Sequence, residues 1–198
     1  MKYPRLTFLS AWLVLASTGL LHAQNQIPNP SFEDGATDWY IFIPPESTND
    51  NCQFTISTDS PHSGKNCAEL QSDDFARYSI NPKIDDFHPN PGERYHITAW
   101  VKADPTTQVQ PGAPGIVIRV TLQQNGKDTV AGHFFLELNN VMTRGTNPTP
   151  VTKLPTGWTK LEGDFTFPGD ADAALLYLFA WGTKGPIYYD DISLEKVP

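Results

Sequence analysis

Aromatic rings and hydrogen-bonding side chains recur on the polar side of several strand-like segments of the chain. In segment 95–102, inward and outward positions alternate strictly, so that every second side chain points away from a predicted core. The same alternation in the other segments yields six candidate ligand-binding residues: Arg77, His96, Trp100, Arg119, His133 and Phe135. Rings that stack, beside polar groups that fix orientation, suit a ligand whose flat apolar faces are edged by hydroxyl groups. We predict that these side chains line one open surface.

Four more aromatic residues are candidates for the rim of that surface. Trp39, Tyr40 and Phe42 follow the first predicted turn, and Trp181 lies near the end of a later apolar run. Trp39 and Trp181 are included among the candidate binding residues. Each tryptophan also has an alternative interpretation as a packing residue, because large rings are mostly buried in folded proteins.

The acidic residues do not form a recognisable catalytic pair. Asp73-Asp74, Asp85-Asp86 and Asp190-Asp191 are sequence neighbours, whose side chains diverge in an extended chain, whereas glycoside hydrolysis needs two carboxylates flanking one bond. Glu137 and Glu162 lie on separate predicted strands and are the one pair that could converge. The sequence contains no nucleophile elbow and no phosphate-binding glycine loop. We predict no catalytic residue and no enzyme activity; the alternatives are a jelly-roll glycoside hydrolase or lyase, and a structural or adhesive surface protein.

The chain has two cysteines, Cys52 and Cys67, whose spacing fits two antiparallel strands joined by a loop over residues 57–65. In an oxidising compartment this arrangement favours a disulfide. The alternative is a pair of buried thiols, because pairing geometry cannot be read from a sequence. Two cysteines do not suffice for a zinc site.

The first residues predict export. Lys2 and Arg5 form a basic start, residues 6–21 are an apolar run, and Ala23 ends the pattern of a cleavage site. We predict a signal peptide over residues 1–23 and a secreted mature domain, extracellular or periplasmic, over residues 24–198. The apolar run is marginal for a membrane span and lacks a basic flank behind it, so we expect no membrane partner after cleavage.

Most segments after residue 25 alternate with a period of two and are separated by turn signals such as Asn125-Gly126, the clearest hairpin. Roughly nine short strands without a strong helical segment predict an all-β fold, an antiparallel β-sandwich or jelly roll. A mature length of about 175 residues suits a single domain.

The charge balance disfavours nucleic acid as a partner. The chain has 14 basic and 22 acidic side chains, and loss of Lys2 and Arg5 with the signal leaves a net charge of −10. Nucleic acid attracts a basic surface, whereas a neutral polymer is not repelled by an acidic one. We also expect a monomer.

Five stretches occur in an order that resembles a known family: Asn29–Gly35 with Asp38-Trp39, His62–Leu70, Pro91–Tyr95 leading to Ala99–Ala103, Gly157–Leu161 with Phe165–Pro168, and Ile187–Leu194. Together they are similar to the carbohydrate-binding modules of the cellulase and xylanase type, families four, nine and twenty-two. These modules are jelly rolls of the galactose-binding-domain-like kind. The resemblance implies binding of a polysaccharide or oligosaccharide without turnover.

The resemblance also implies a structural calcium that ties the first strand to the last. The matching positions are Glu33 and Asp190, with carbonyl oxygens expected from residues 63–66. Asp190 is preferred over Asp191 because it shares the inward side of the following apolar residues. The alternative is an ordinary turn capped by acidic side chains. Segment 139–154 has no assigned role; it is expected either to cover the groove or to contact the ligand.

Overall fold

The structure of the protein, a computed structural model, describes residues 24–45, 51–84 and 87–198. Its regular structure consists of thirteen strands in two antiparallel sheets. The predicted signal peptide 1–23 and the pair Asp85-Asp86 lie outside the described residues. The strands are β1 (Trp39–Phe42), β2 (Gln53–Ser57), β3 (Cys67–Gln71), β4 (Ala76–Pro82), β5 (Arg94–Ala103), β6 (Gln108–Val109), β7 (Gly115–Gln124), β8 (Lys127–Asp128), β9 (His133–Leu136), β10 (Met142–Gly145), β11 (Thr159–Thr166), β12 (Ala173–Lys184) and β13 (Ile187–Val197).

The strands form one eight-stranded and one five-stranded sheet. The eight-stranded sheet has the order β1-β4-β12-β7-β9-β10, with β6 paired to β12 and β8 paired to β7. The five-stranded sheet has the order β11-β5-β13-β3-β2. The predicted all-β sandwich is confirmed. Over the described residues, no helix combines the length and the apolar character that a membrane crossing requires.

Period-two alternation determines which side chains enter the core between the sheets. In β5 every second residue from Tyr95 to Ala103 is buried, and the residues between them, such as His96, are half-buried on the outer face. In β12 the inward residues are Ala174, Leu176, Leu178 and Ala180. Each large aliphatic side chain buried in this way stabilises the fold by about 1.5–3 kcal/mol.

A buried hydrogen bond joins the two sheets near the middle of the sandwich. The hydroxyl of Tyr189 in β13 donates to the carbonyl of Phe179 in β12 at 2.8 Å. Complete burial raises the pKa of Tyr189 well above its usual value, so this hydroxyl keeps its proton. The predicted hairpin at Asn125 and Gly126 joins β7 to β8, and both residues have the positive φ angles (53° and 72°) of a type I′ turn.

The predicted disulfide between Cys52 and Cys67 is wrong, although the predicted hairpin is present. β2 pairs with β3 in a register that places Ser57 opposite Cys67, whereas Cys52 precedes Gln53 at the other end. The two cysteines are therefore separated by five residue steps along the strands, about 17 Å. A disulfide requires Cα atoms within about 7 Å. Sequence spacing had predicted the hairpin but not the register that separates the sulfur atoms.

We expect this chain to carry two thiols. Burial, with a smaller contribution from Asp190, raises the pKa of Cys67 to about 12, so the folded protein should react slowly with an alkylating reagent. Mass spectrometry after alkylation in denaturant should show two labels without prior reduction, and a reductant should leave the unfolding temperature unchanged. A denatured chain that takes no label until it is reduced would contradict this register.

Candidate ligand-binding site

The structure divides the eight predicted binding residues among three places. Five of them lie on the outer face of the eight-stranded sheet: Arg77, Arg119, His133, Phe135 and Trp181. His96 and Trp100 lie on the outer face of the five-stranded sheet, and Trp39 points inward. Four of these five are partly exposed, but the Phe135 ring is only 1% exposed. The expectation of one open surface is therefore wrong for Phe135 and for the three residues that lie elsewhere.

Trp39 belongs to the core and not to the rim. Its side chain is only 6% exposed, its ring lies 4.9 Å from that of Phe32, and its Nε1 donates to the carbonyl of Asn29 at 3.1 Å. Alternation along β1 then turns Tyr40 outward, where it is 51% exposed. The predicted rim position is therefore wrong for Trp39, whereas Tyr40, predicted beside it, is exposed.

Trp100 lies under a loop on the opposite side of the molecule. The ring of His62 stacks on it with centroids 3.8 Å apart, and His62 also meets the edge of Trp158 at 5.8 Å. Trp158 Nε1 and Lys102 Nζ both donate to the carbonyl of Ser60, at 3.0 and 2.8 Å. These rings hold the loop over residues 58–63 against the sheet. His96, farther along β5, has its Nδ1 2.7 Å from Asp164 Oδ1.

A row of rings along β12 forms the centre of the candidate site. Tyr177, Phe179 and Trp181 alternate with core residues, and their successive ring centroids lie 5.8 and 5.6 Å apart. Phe179 packs with Val117 and Phe135 in an apolar cluster separate from the main core. Sequence reasoning missed Tyr177 and Phe179, because an apolar run on both faces predicts only a central strand. The one available signal was three aromatic residues at every second position.

Two arginines lie against these rings from the neighbouring strands. Arg77 pairs in register with Trp181 and places its Cζ 3.9 Å from that ring centroid. Arg119 pairs with Tyr177 and lies between that ring, at 4.7 Å, and Phe179, at 4.8 Å. Such cation–π contacts contribute about 0.5–2 kcal/mol each. Because a guanidinium carries its N–H donors in its own plane, these stacked groups set hydrogen-bond donors beside apolar surface.

Polar side chains lie beneath this layer on the same face. Ser79 donates to Asn81 Oδ1 at 3.1 Å, and Thr143 of β10 donates to Glu137 Oε1 at 2.9 Å. Thr121 is buried, and its hydroxyl has no hydrogen-bond partner among the residues that the structure describes. The face thus combines rings with buried hydrogen-bonding groups, the composition of a site for a polar ligand with apolar faces.

His133 adds a titratable group to the face. Its Nδ1 accepts the backbone N–H of Leu122 at 3.2 Å, and its Nε2 lies 3.6 Å from Asp128 Oδ2. Burial lowers the pKa of His133, the charge of Arg119 lowers it further, and Asp128 opposes both. The imidazole is therefore neutral at pH 7, with its proton on Nε2.

The two carboxylates that the sequence left as a possible catalytic pair belong to different sheets. Glu137 follows β9 in the eight-stranded sheet, is 4% exposed and accepts a hydrogen bond from Thr143. Glu162 lies in β11 of the five-stranded sheet and pairs with Lys160 at 2.7 Å. This placement offers no carboxylate pair around a single bond of the kind that glycoside hydrolysis requires.

The segment over residues 139–154 forms an edge of the same sheet. Its first half contains β10, which pairs with β9 and places Thr143 opposite Phe135. Farther along, the backbone N–H of Val151 donates to the carbonyl of Ala113. The first half therefore borders the candidate face, and the second half packs at the end of the sandwich.

Glu33, one predicted calcium ligand, accepts hydrogen bonds from the neighbouring turn. Its Oε1 accepts the backbone N–H groups of Lys65 and Asn66 at 2.8 and 3.0 Å. Gly64 passes so close that a Cβ there would lie 2.4 Å from Oε1, and its φ of +59° also favours glycine. Glycine at this position thus allows the turn to wrap the carboxylate.

Asp190, the other predicted ligand, is fully buried. Its Oδ2 accepts the backbone N–H groups of His62 and Ser63, at 2.8 and 3.1 Å, and its Oδ1 accepts that of Asp191. Burial, with a contribution from Asp191, raises the pKa of Asp190 to about 6 against the effect of these bonds.

These contacts do not fit the predicted cage of oxygen ligands. Residues 62–66 turn N–H groups, rather than the expected carbonyl oxygens, toward both carboxylates. Across the described part of the chain, no group of three His, Cys, Asp or Glu residues is placed to hold a metal ion. The geometry is that of a turn capped by acidic side chains, the alternative interpretation of the sequence, and calcium stays a prediction.

The chain is similar to one known protein family in sequence and to several solved structures in fold. Residues 24–186 match a family model, CBM 4/9, described as carbohydrate binding domain. The structure is similar to the CBM22-1 xylan-binding domain of Paenibacillus barcinonensis Xyn10C, with 16% identity and a TM-score of 0.55 over 84% of this chain and 91% of that chain. It is also similar to the C-terminal family 22 carbohydrate binding module of Clostridium thermocellum Xyn10B, with 13% identity and a TM-score of 0.57 over 84% and 90% of the two chains.

A third similar structure is the enzymatically active domain of tailspike protein 4 of bacteriophage CBA120, with 15% identity and a TM-score of 0.59. That match covers 87% of this chain but only 21% of the tailspike chain. No curated protein matches the sequence. Identities this low show the fold alone, whereas the family model covers most of the sequence. The chain belongs to the carbohydrate binding domain family and is a non-catalytic carbohydrate-binding module.

Proposed function

We propose that the protein is secreted and binds a polysaccharide or oligosaccharide on the outer face of its eight-stranded sheet. One observation carries this assignment: Tyr177, Phe179 and Trp181 form a row of rings on that face, with Arg77 and Arg119 stacked on them. Sugars need apolar surface for their ring faces and hydrogen-bonding groups for their hydroxyls. On this face the arginines bring guanidinium groups, and the partly exposed rings of Tyr177 and Trp181 bring apolar surface, whereas Phe179 is buried beneath them. The opposite face has its largest rings under the 58–63 loop.

Xylan is the first ligand to test. Two of the structurally similar proteins are family 22 modules, and one of them is described as a xylan-binding domain. A net charge of −10 after loss of the predicted signal peptide does not repel a neutral polysaccharide. We propose that the module acts as a monomer outside the cytoplasm, where such polymers occur.

Substitutions on the two faces should separate binding from folding. We expect Trp181→Ala and Arg119→Gln each to weaken retention on a xylan affinity gel by about tenfold, because each removes a central contact. The matched controls on the five-stranded sheet are Trp158→Ala and Arg94→Gln. Xylan in the gel should slow both of them as much as it slows the wild type. A screen of other polysaccharides should accompany the gel.

The opposite pattern would move the site to the other sheet. If the Trp158 variant lost binding and the Trp181 variant kept it, the outer face of the eight-stranded sheet would not be the binding face. Unfolding temperatures measured beside each gel distinguish a lost contact from a lost fold.

The neutral state of His133 gives a pH-dependent prediction. Because folding lowers its pKa below the ordinary 6.5, the unfolded chain binds more protons just below that pH. His133 therefore contributes stability above pH 6.5 that is lost as pH falls toward its folded pKa. NMR titration of the imidazole should give a value below 6.5, and His133→Gln should remove this part of the pH dependence. A titration midpoint at or above 6.5 would contradict the contacts assigned to this ring.

Calcium can be tested independently of the sugar. A cation bound only by the folded chain would raise the unfolding temperature at concentrations above its Kd, and a chelator would reverse the rise. The prediction from the family resemblance requires this shift and its loss in Glu33→Gln. Identical unfolding curves with calcium and with chelator would leave the turn as a purely hydrogen-bonded one.

A further inference from the structure

The rings at the centre of the candidate face have few open surfaces. Phe179 is fully buried, Arg77 lies over Trp181, and Tyr177 has Arg119 on one side and the edge of Phe42 at 5.6 Å. A sugar ring that stacks needs an aromatic face that it can reach. The centre of the site therefore offers guanidinium groups more than ring faces.

Tyr40 is the most exposed aromatic side chain in the described part of the chain, at 51%. It lies in edge strand β1, opposite Asn81 in β4. Asn81 in turn accepts a hydrogen bond from Ser79, which pairs in register with Phe179 in β12. Tyr40 thus extends the candidate face by one strand beyond β4, on the same side as its rings and arginines.

A hollow of about 120 Å³ lies beside Tyr40. Its lining residues include Lys83, Leu175, which is 39% exposed, and Asn81, which is only 3% exposed. An open ring, an exposed aliphatic group and polar groups around one small hollow are the elements of a site for a single sugar ring.

We propose that Tyr40, Asn81, Lys83 and Leu175 form a saccharide subsite in which one pyranose ring stacks on Tyr40. This proposal rests on the proposed function, because the subsite is an extension of the same face. Four residue steps along β12 and two strand spacings separate Tyr40 from Trp181, about 13 Å and about 10 Å in perpendicular directions. A ligand that touches both ends must therefore be a chain of several sugar rings.

Calorimetry with oligosaccharides of two and of six residues tests the subsite. The oligosaccharides are prepared from whichever panel polysaccharide the wild-type protein retains, xylan first. Tyr40→Ala should weaken binding of the six-residue ligand by about three- to tenfold and reduce the gain in affinity with length. Tyr40→Phe should bind as the wild type does, because the stacking face remains.

Trp158→Ala is the matched control, since Trp158 lies on the five-stranded sheet and does not line the hollow; its affinities should not change. Equal binding of the six-residue ligand by wild type and Tyr40→Ala, with loss in Trp181→Ala, would overturn the subsite and leave the proposed function standing. A wild-type protein that retains no polysaccharide would overturn both. Because Tyr40 is half exposed, we expect Tyr40→Ala to unfold at the wild-type temperature.

Discussion

The core and the candidate site both depend on the register of β12, because this register decides which side chains of the strand point inward and which point outward. One face buries Leu176 and Leu178 between the sheets, and the other carries Tyr177, Phe179 and Trp181. β12 pairs with β4 and β7 on its two sides, so the arginines of those strands meet its rings in register. A slip of one residue would exchange the two faces and place the rings in the core. The bond from the Tyr189 hydroxyl to the Phe179 carbonyl joins this strand to the opposite sheet.

The stacked arginines make this face different from a plain aromatic platform. A guanidinium that lies on a ring covers apolar surface and keeps its N–H groups in a fixed plane. The orientation of these groups is therefore set before a ligand binds. In the proposed site, a sugar would meet these fixed groups and the few rings left open, such as Tyr40. Preorganisation reduces the entropy lost on binding, which matters for a shallow site with little buried area.

The sequence predicted the fold better than the site, and the reason is physical. Alternation in a strand determines which side chains share a face, and it correctly separated Trp100 from the core residues of β5. It does not determine which sheet a strand joins, because pairing is set by contacts between distant parts of the chain. Trp100 and Arg119 were therefore grouped although they lie on opposite sides of the sandwich. The same limit produced the incorrect disulfide, since the register of β2 and β3 was not available from the spacing of Cys52 and Cys67.

The central claim, that saccharide lies on the ring-bearing face of β12, is tested most directly by following the four tryptophan indole N–H signals of the mature chain in a nitrogen-15 NMR titration. With a polysaccharide-derived oligosaccharide, the account predicts that the Trp181 signal shifts progressively, while those of Trp100 and of Trp158, whose N–H bonds to Ser60, stay in place. A titration that shifts Trp158 or Trp100 and leaves Trp181 unmoved would contradict it.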